Sequence, residues 1–255
     1  MSGRTLVLAL LAAGLLAQCS RLPDEDELRA FDHAETAFSS AVEPGGFLEA
    51  AALYESMLKD RYENSAVLYN LGNAYAKAGE NGRAIAAYRR ALRYRPRDPY
   101  LLANLESVQG KPSPETDPSL LELLLFWRTW LSYPLKARLF LCSAALVFVL
   151  AFARVLLRTR RRAIRPALAA AVILFLLCGL TFSLDVMSIE FSRHGVITKE
   201  IVARKGNGEG YDPAFNEPLA EGTELQVLER RGDWLKIRLG KNLTGWVPES
   251  EVAVY

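Results

Sequence analysis

The chain has 255 residues, enough for one large domain or two small ones, with 51% hydrophobic and 24% charged residues. A formal net charge of +2 argues against a polycationic nucleic-acid binder, and two distant histidines, His33 and His194, argue against histidine-rich metal sites and most histidine-centred triads. Cys19, Cys142 and Cys178 each lie in or beside an apolar run, so neither a disulfide framework nor a zinc knuckle is read.

Residues 5–17 form a short apolar run behind Arg4, the shape of an export signal. Leu16-Ala17-Gln18-Cys19 resembles a lipoprotein signal box, although Gln18 stands where a small residue is expected. Three readings stay open for residues 1–19: lipidation at Cys19, plain cleavage, or a retained anchor. Two longer runs follow at residues 139–157 and 166–184. As helices of ~1.5 Å rise per residue, each approaches the ~30 Å of a bilayer core, so spans are expected over 134–157 and 166–189 rather than core helices. Between them, residues 158–165 hold five arginines, Arg158, Arg160, Arg161, Arg162 and Arg165. Positive loops are retained inside, so the reading is a two-pass hairpin with both soluble parts on the exported side.

Residues 20–110 read as helix. The segment 65–98 carries Leu68, Leu71, Gly72, Tyr75, Ala84, Tyr88, Ala91 and Pro96 at the pattern positions of the tetratricopeptide repeat, which it resembles over its whole 34 residues. Thirty-four residues earlier, Gly45, Ala50, Tyr54 and Met57 stand in the places of Gly79, Ala84, Tyr88 and Ala91, with Phe38 where the repeat has Gly72. Residues 99–109 add a further helix. The resemblance implies an all-α repeat stack with a peptide-binding groove, for which Asn70, Asn73, Lys77 and Asn104 are candidates, with Ser107 and Lys111 in equivalent places. Asparagine amides bond peptide backbone and lysine pairs with carboxylates; a face that merely meets water is the other reading. The arginines Arg89, Arg90, Arg93, Arg95 and Arg97 are read as compensated by the acidic residues 24–27 or as a solvated face.

Residues 111–133 combine a proline-rich linker with an interfacial helix, in which Trp127, Trp130 and Tyr133 suit a membrane boundary. Beyond residue 190 the pattern alternates. Strands are expected at 196–202, 224–229, 234–239 and 244–247, with turns at Gly222, Gly232-Asp233 and Gly240-Lys241-Asn242. Residues 195–255 resemble the bacterial SH3-like domain, a small all-β barrel, through Gly222, Thr223, Val227, Trp234, Lys236, Ile237, Gly245, Trp246 and Val247. Tyr211, Phe215, Trp234 and Trp246 are its candidate ligand-surface residues, with core packing the alternative for the tryptophans. Gly206-Asn207-Gly208-Glu209-Gly210 reads as a barrel loop, since no helix follows to make a phosphate site.

The whole is a multidomain membrane protein: repeat domain, two-helix transmembrane hairpin, SH3-like barrel. That order resembles the BatE proteins of bacterial aerotolerance (Bat) operons. The resemblance implies a non-enzymatic scaffold for von Willebrand factor A-like Bat membrane proteins and a MoxR-type AAA+ ATPase system, tied to oxidative-stress tolerance and envelope integrity. The alternative is a cell-wall module that binds peptidoglycan peptides and recruits an envelope enzyme. No nucleophile–base pair, metal-ligand spacing or cofactor loop is read, so no catalytic, metal or cofactor residue is assigned.

Overall fold

Asp24 opens α1 (Glu25–Ser40) with a capping box: its side chain accepts from the Glu27 N–H, and the Glu27 carboxylate accepts from the Asp24 N–H. The computed structural model describes residues 24–59, 64–109, 127, 130–157, 161–191, 193–240 and 243–255. The export signal, Cys19, Lys111 and most of the 111–133 linker lie outside them. α2 (Pro44–Lys59) begins on a proline, whose missing N–H is harmless at a first helical position. Asn64 caps α3 (Ser65–Ala78) by accepting from the Ala66 and Val67 N–H groups, and Gly79 ends it at φ 85°. α4 (Asn81–Leu92) and α5 (Pro99–Gln109) follow, the latter capped by Asp98.

The helices share one core in which Ala34, Tyr54, Val67, Leu68, Ile85, Tyr88 and Leu101 are all but fully buried. Tyr88 lies flat against Gly72, where a Cβ would enter its ring, so the small residue is a packing requirement. Gly45, matched in sequence to the helix-ending Gly79, sits instead inside the first turn of α2. α1 stops at Ala41 in extended backbone, so no left-handed residue is needed there.

The apolar runs form α6 (Tyr133–Leu156) and α7 (Arg161–Phe191). Only 6% and 11% of their most apolar stretches are buried, which separates them from soluble core helices and fits a membrane hairpin. α7 starts at Arg161, so the expected loop over 158–165 is already helical in its second half; Pro166 is accommodated early in the helix. Phe140 fills the space above Gly179 and stacks on Phe175 and Phe182, while Tyr133 stacks on Phe182. At the same end of the pair, the Lys136 ammonium meets the Asp185 carboxylate at 2.5 Å.

The C-terminal strands are β1 (His194–Ile197), β2 (Glu224–Arg231), β3 (Trp234–Leu239), β4 (Leu243–Pro248) and β5 (Val252–Val254), antiparallel in the order β4-β3-β2-β1-β5. Gly232 at φ 60° and Gly240 at φ 57° supply the left-handed turn residues on either side of β3. An Arg204–Trp246 bridge brings the long β1–β2 segment against β4. Ile197, Leu225, Leu235, Ile237 and Val247 fill the interior. The strand expected over 196–202 ends at Ile197. The next amide, Thr198 N–H, donates to Glu251, and the Ile197 carbonyl accepts from Gly222, so the chain turns. β5, only three residues long behind a 3-10 turn, is too short to show alternation.

Candidate functional site

α1, α3 and α5 line a groove of about 550 Å³, whose wall includes Phe38, Asn73, Lys77, Asn81, Tyr88, Asn104 and Ser107. Three of the four groove candidates meet there. Asn70 does not: its amide donates to the Tyr54 hydroxyl at 3.4 Å, inside the packing of α2 on α3. Asn70 and Asn73 stand three residues, about 60°, apart around α3, and spacing alone did not resolve which faces the groove and which a neighbour. Asn73 is partly committed as well. Its side-chain oxygen accepts from Tyr88 at 2.8 Å and from Asn104 at 2.9 Å, and Asn104 also donates to Tyr69. Burial, chiefly, pushes the Tyr88 hydroxyl well above its ordinary range, so it stays a donor at neutral pH. Asn73 and Asn104 are therefore locked in place before any ligand arrives, and Lys77 is the exposed cation of the groove.

The barrel holds the back of this site. Asn81 and Tyr88 face the groove, and the next stripe of α4, Gly82, Ile85 and Arg89, faces β1, β5 and the start of β2. A one-residue step rotates ~100° about a helix, which is how α4 serves both surfaces. Gly82 permits the approach: a Cβ there would lie 2.7 Å from the Thr198 Cα, against backbone that cannot yield. Glu80 gives α4 no side-chain cap; the Gly82 N–H donates instead to Glu221 of the barrel at 2.9 Å. Near the other end, Arg89 grips Glu224 with two hydrogen bonds of 2.9 and 2.6 Å, while Gln109 and Tyr255 donate to the same carboxylate at 2.6 Å each. Gly82 and Arg89 lie about 10.5 Å apart along α4, and the chain turns at Gly222 (φ 83°) between Glu221 and Glu224, so the two carboxylates meet the helix from either side of that turn.

Burial pushes the Glu224 carboxyl up, but the Arg89 and Tyr255 hydrogen bonds, the Arg89 charge and Gln109 outweigh it and hold it below the ordinary value. Burial, then Glu224 itself, raises the Tyr255 hydroxyl. The acidic residues 24–27, read as partners for the α4 arginines, do not serve Arg89; Asp24 and Glu27 are engaged in capping their own helix. Glu221, Glu224, Gln109 and Tyr255 were not singled out in sequence, and the only sign of them was an arginine surplus on α4.

Among the barrel candidates, Tyr211 is 53% exposed and packs over Gly206. Phe215 is half-buried against the interior, near Gly245. Trp234 is half-buried. Trp246, a surface candidate for which core packing was the other reading, is 7% exposed, with Arg231 5.2 Å and Lys236 6.0 Å from its ring centre. Cross-strand neighbours cover it, as the core alternative anticipates.

Residues 65–98 match the family of the tetratricopeptide repeat, and residues 219–253 match the bacterial SH3 domain. No curated protein and no solved structure matches the chain. Both families are typically non-catalytic, and the two modules suggest protein interaction or cell-wall binding, beside two helices compatible with a membrane hairpin.

Proposed function

We propose that this protein is a two-pass scaffold of the bacterial inner membrane, with its repeat groove and barrel on the periplasmic side, assembling a Bat-type complex. The observation that carries the reading is the groove itself. Its amides are held by internal hydrogen bonds, one lysine stands exposed in it, and the barrel occupies the neighbouring stripe of α4, leaving the groove open to a partner. The domain order and the arginine-rich stretch between the spans support a BatE-like role with von Willebrand factor A-like membrane partners and a MoxR-type AAA+ ATPase system.

Affinity capture from native membranes tests this with Lys77→Glu, which reverses the groove charge without touching the Asn73 network. Von Willebrand-type membrane proteins should come down with the wild type and fall about tenfold with the variant, the scale of one lost charge-assisted contact replaced by repulsion. Asn73→Ala is a poorer probe, because it strips Tyr88 and Asn104 of their shared acceptor. Capture that is indifferent to Lys77→Glu removes the groove from the contact. The bacterial SH3 match supports a second reading, a wall-binding module that recruits an envelope enzyme. It predicts retention on purified sacculi that disappears when the barrel is deleted.

A further inference from the structure

The outer face of β2, β3 and β4 carries chemistry that neither the groove nor the α4 contact uses. Strand register lays three rows across it: Gln226–Arg238–Thr244, Glu229–Lys236–Trp246 and Arg231–Trp234–Pro248. The Arg204 bridge to Trp246 extends the middle row by one strand. Two cations, Arg231 and Lys236, thus lie over one buried indole, with Arg204 and Arg238 in the adjoining positions of the sheet. Arg231 pairs with Glu229, and Arg238 donates to Gln226; among the described residues no carboxylate pairs with Arg204, Lys236 or Arg238. The repeat helices meet the barrel at β1, β5 and the start of β2, at the other end of the strand order from β3 and β4.

We propose that this face is a second docking site, for an extended acidic segment of a partner protein. It is independent of the groove. Lys236 and Arg238 are two residues apart on one strand, about 7 Å, which is also the spacing of alternate side chains along an extended peptide. Carboxylates at positions i and i+2 of such a segment therefore meet both cations at once. Trp246 lies beneath Arg231 and Lys236 rather than projecting from them, so the cations rest on a rigid aromatic floor and lose little freedom on binding. A buried indole also offers no wedge for insertion into a bilayer, which favours a peptide over an anionic lipid surface.

The test uses the full chain in phosphatidylcholine nanodiscs with two labelled synthetic peptides, one alternating Glu and Thr, the other alternating Gln and Thr. Fluorescence polarisation should register the acidic peptide and not the neutral one. Lys236→Glu/Arg238→Glu should weaken binding at least about tenfold through the lost charge-assisted contacts, while Lys199→Glu, in the turn after β1, changes it less than about twofold. Lys236→Gln/Arg238→Gln, with unchanged thermal unfolding, should weaken it in the same direction and guards against a variant that fails to fold. Equal binding of both peptides, no binding of either, or indifference to both double variants overturns the proposal. So does binding of phosphatidylglycerol vesicles through Lys236 and Arg238 without binding of the acidic peptide, which assigns the face to lipid instead.

Discussion

Glu224→Ala is expected to free the barrel from the repeat helices while each remains folded. One carboxylate satisfies Arg89 twice, Gln109 and Tyr255. Its side chain is 18% exposed and that of Arg89 32%, so the pair is largely removed from water. Deleting one partner of such a pair leaves the other charge and two further donors unsatisfied, a loss of about 3 kcal/mol in the docking free energy. Gly82→Val should reach the same result by a different route, since its side chain must displace the Thr198 backbone. Thermal unfolding of the wild type should show the repeat and barrel melting together. In either variant the transition should split, with hydrogen exchange rising first in β1 and β5. A single transition that neither change shifts would show that the clamp contributes nothing.

The same carboxylate sets a pH window. Because the folded value of Glu224 is depressed below its ordinary 4.5, its contribution is complete above that value and is lost as pH falls through the depressed one. Tyr255 runs the other way. Its raised value favours the neutral hydroxyl, so its contribution is complete below 10.0 and declines as pH rises beyond it. Docking should therefore hold steady between about pH 5 and pH 9 and weaken outside that range, and Glu224→Ala should flatten the acid limb.

Asp185→Leu is expected to be the most damaging single change in the hairpin. The Lys136 side chain is 6% exposed and that of Asp185 12%, and their 2.5 Å contact leaves the ammonium enclosed between α6 and α7. Removing the carboxylate costs about 3 kcal/mol where the charge stays enclosed, less if Lys136 snorkels to the nearby interface. Lys136→Leu/Asp185→Leu should recover most of the loss, since a buried pair replaced by apolar side chains is close to neutral. Unfolding in bicelles measures both. A double variant as unstable as the single one would mean the damage lies in packing around Phe182 and Gly179 rather than in the charge.

Much of the architecture was legible because it is written in local spacing. The 34-residue pattern of Leu68, Gly72, Tyr75, Ala84 and Tyr88, the two nineteen-residue apolar runs and the alternation in 234–239 each declare their element without reference to the rest of the chain. The candidate site was legible only in part. Asn73, Lys77 and Asn104 share the groove, but Asn70, on the same helix, turns to Tyr54 because α2 packs there. The spacing of Trp246 left surface and core both open, and Arg231 and Lys236 of neighbouring strands cover it.

The amino-acid sequence by itself determined the elements, the two matched modules and the candidate membrane hairpin, because period, turn residues and apolar length act over a few residues at a time. Tertiary structure alone decided that the repeat and the barrel are joined through α4. Glu221 and Glu224 reach partners 139 and 135 residues away, and their fit depends on the turn at Gly222 setting two carboxylates against one helix, across a surface that exists only once both are folded.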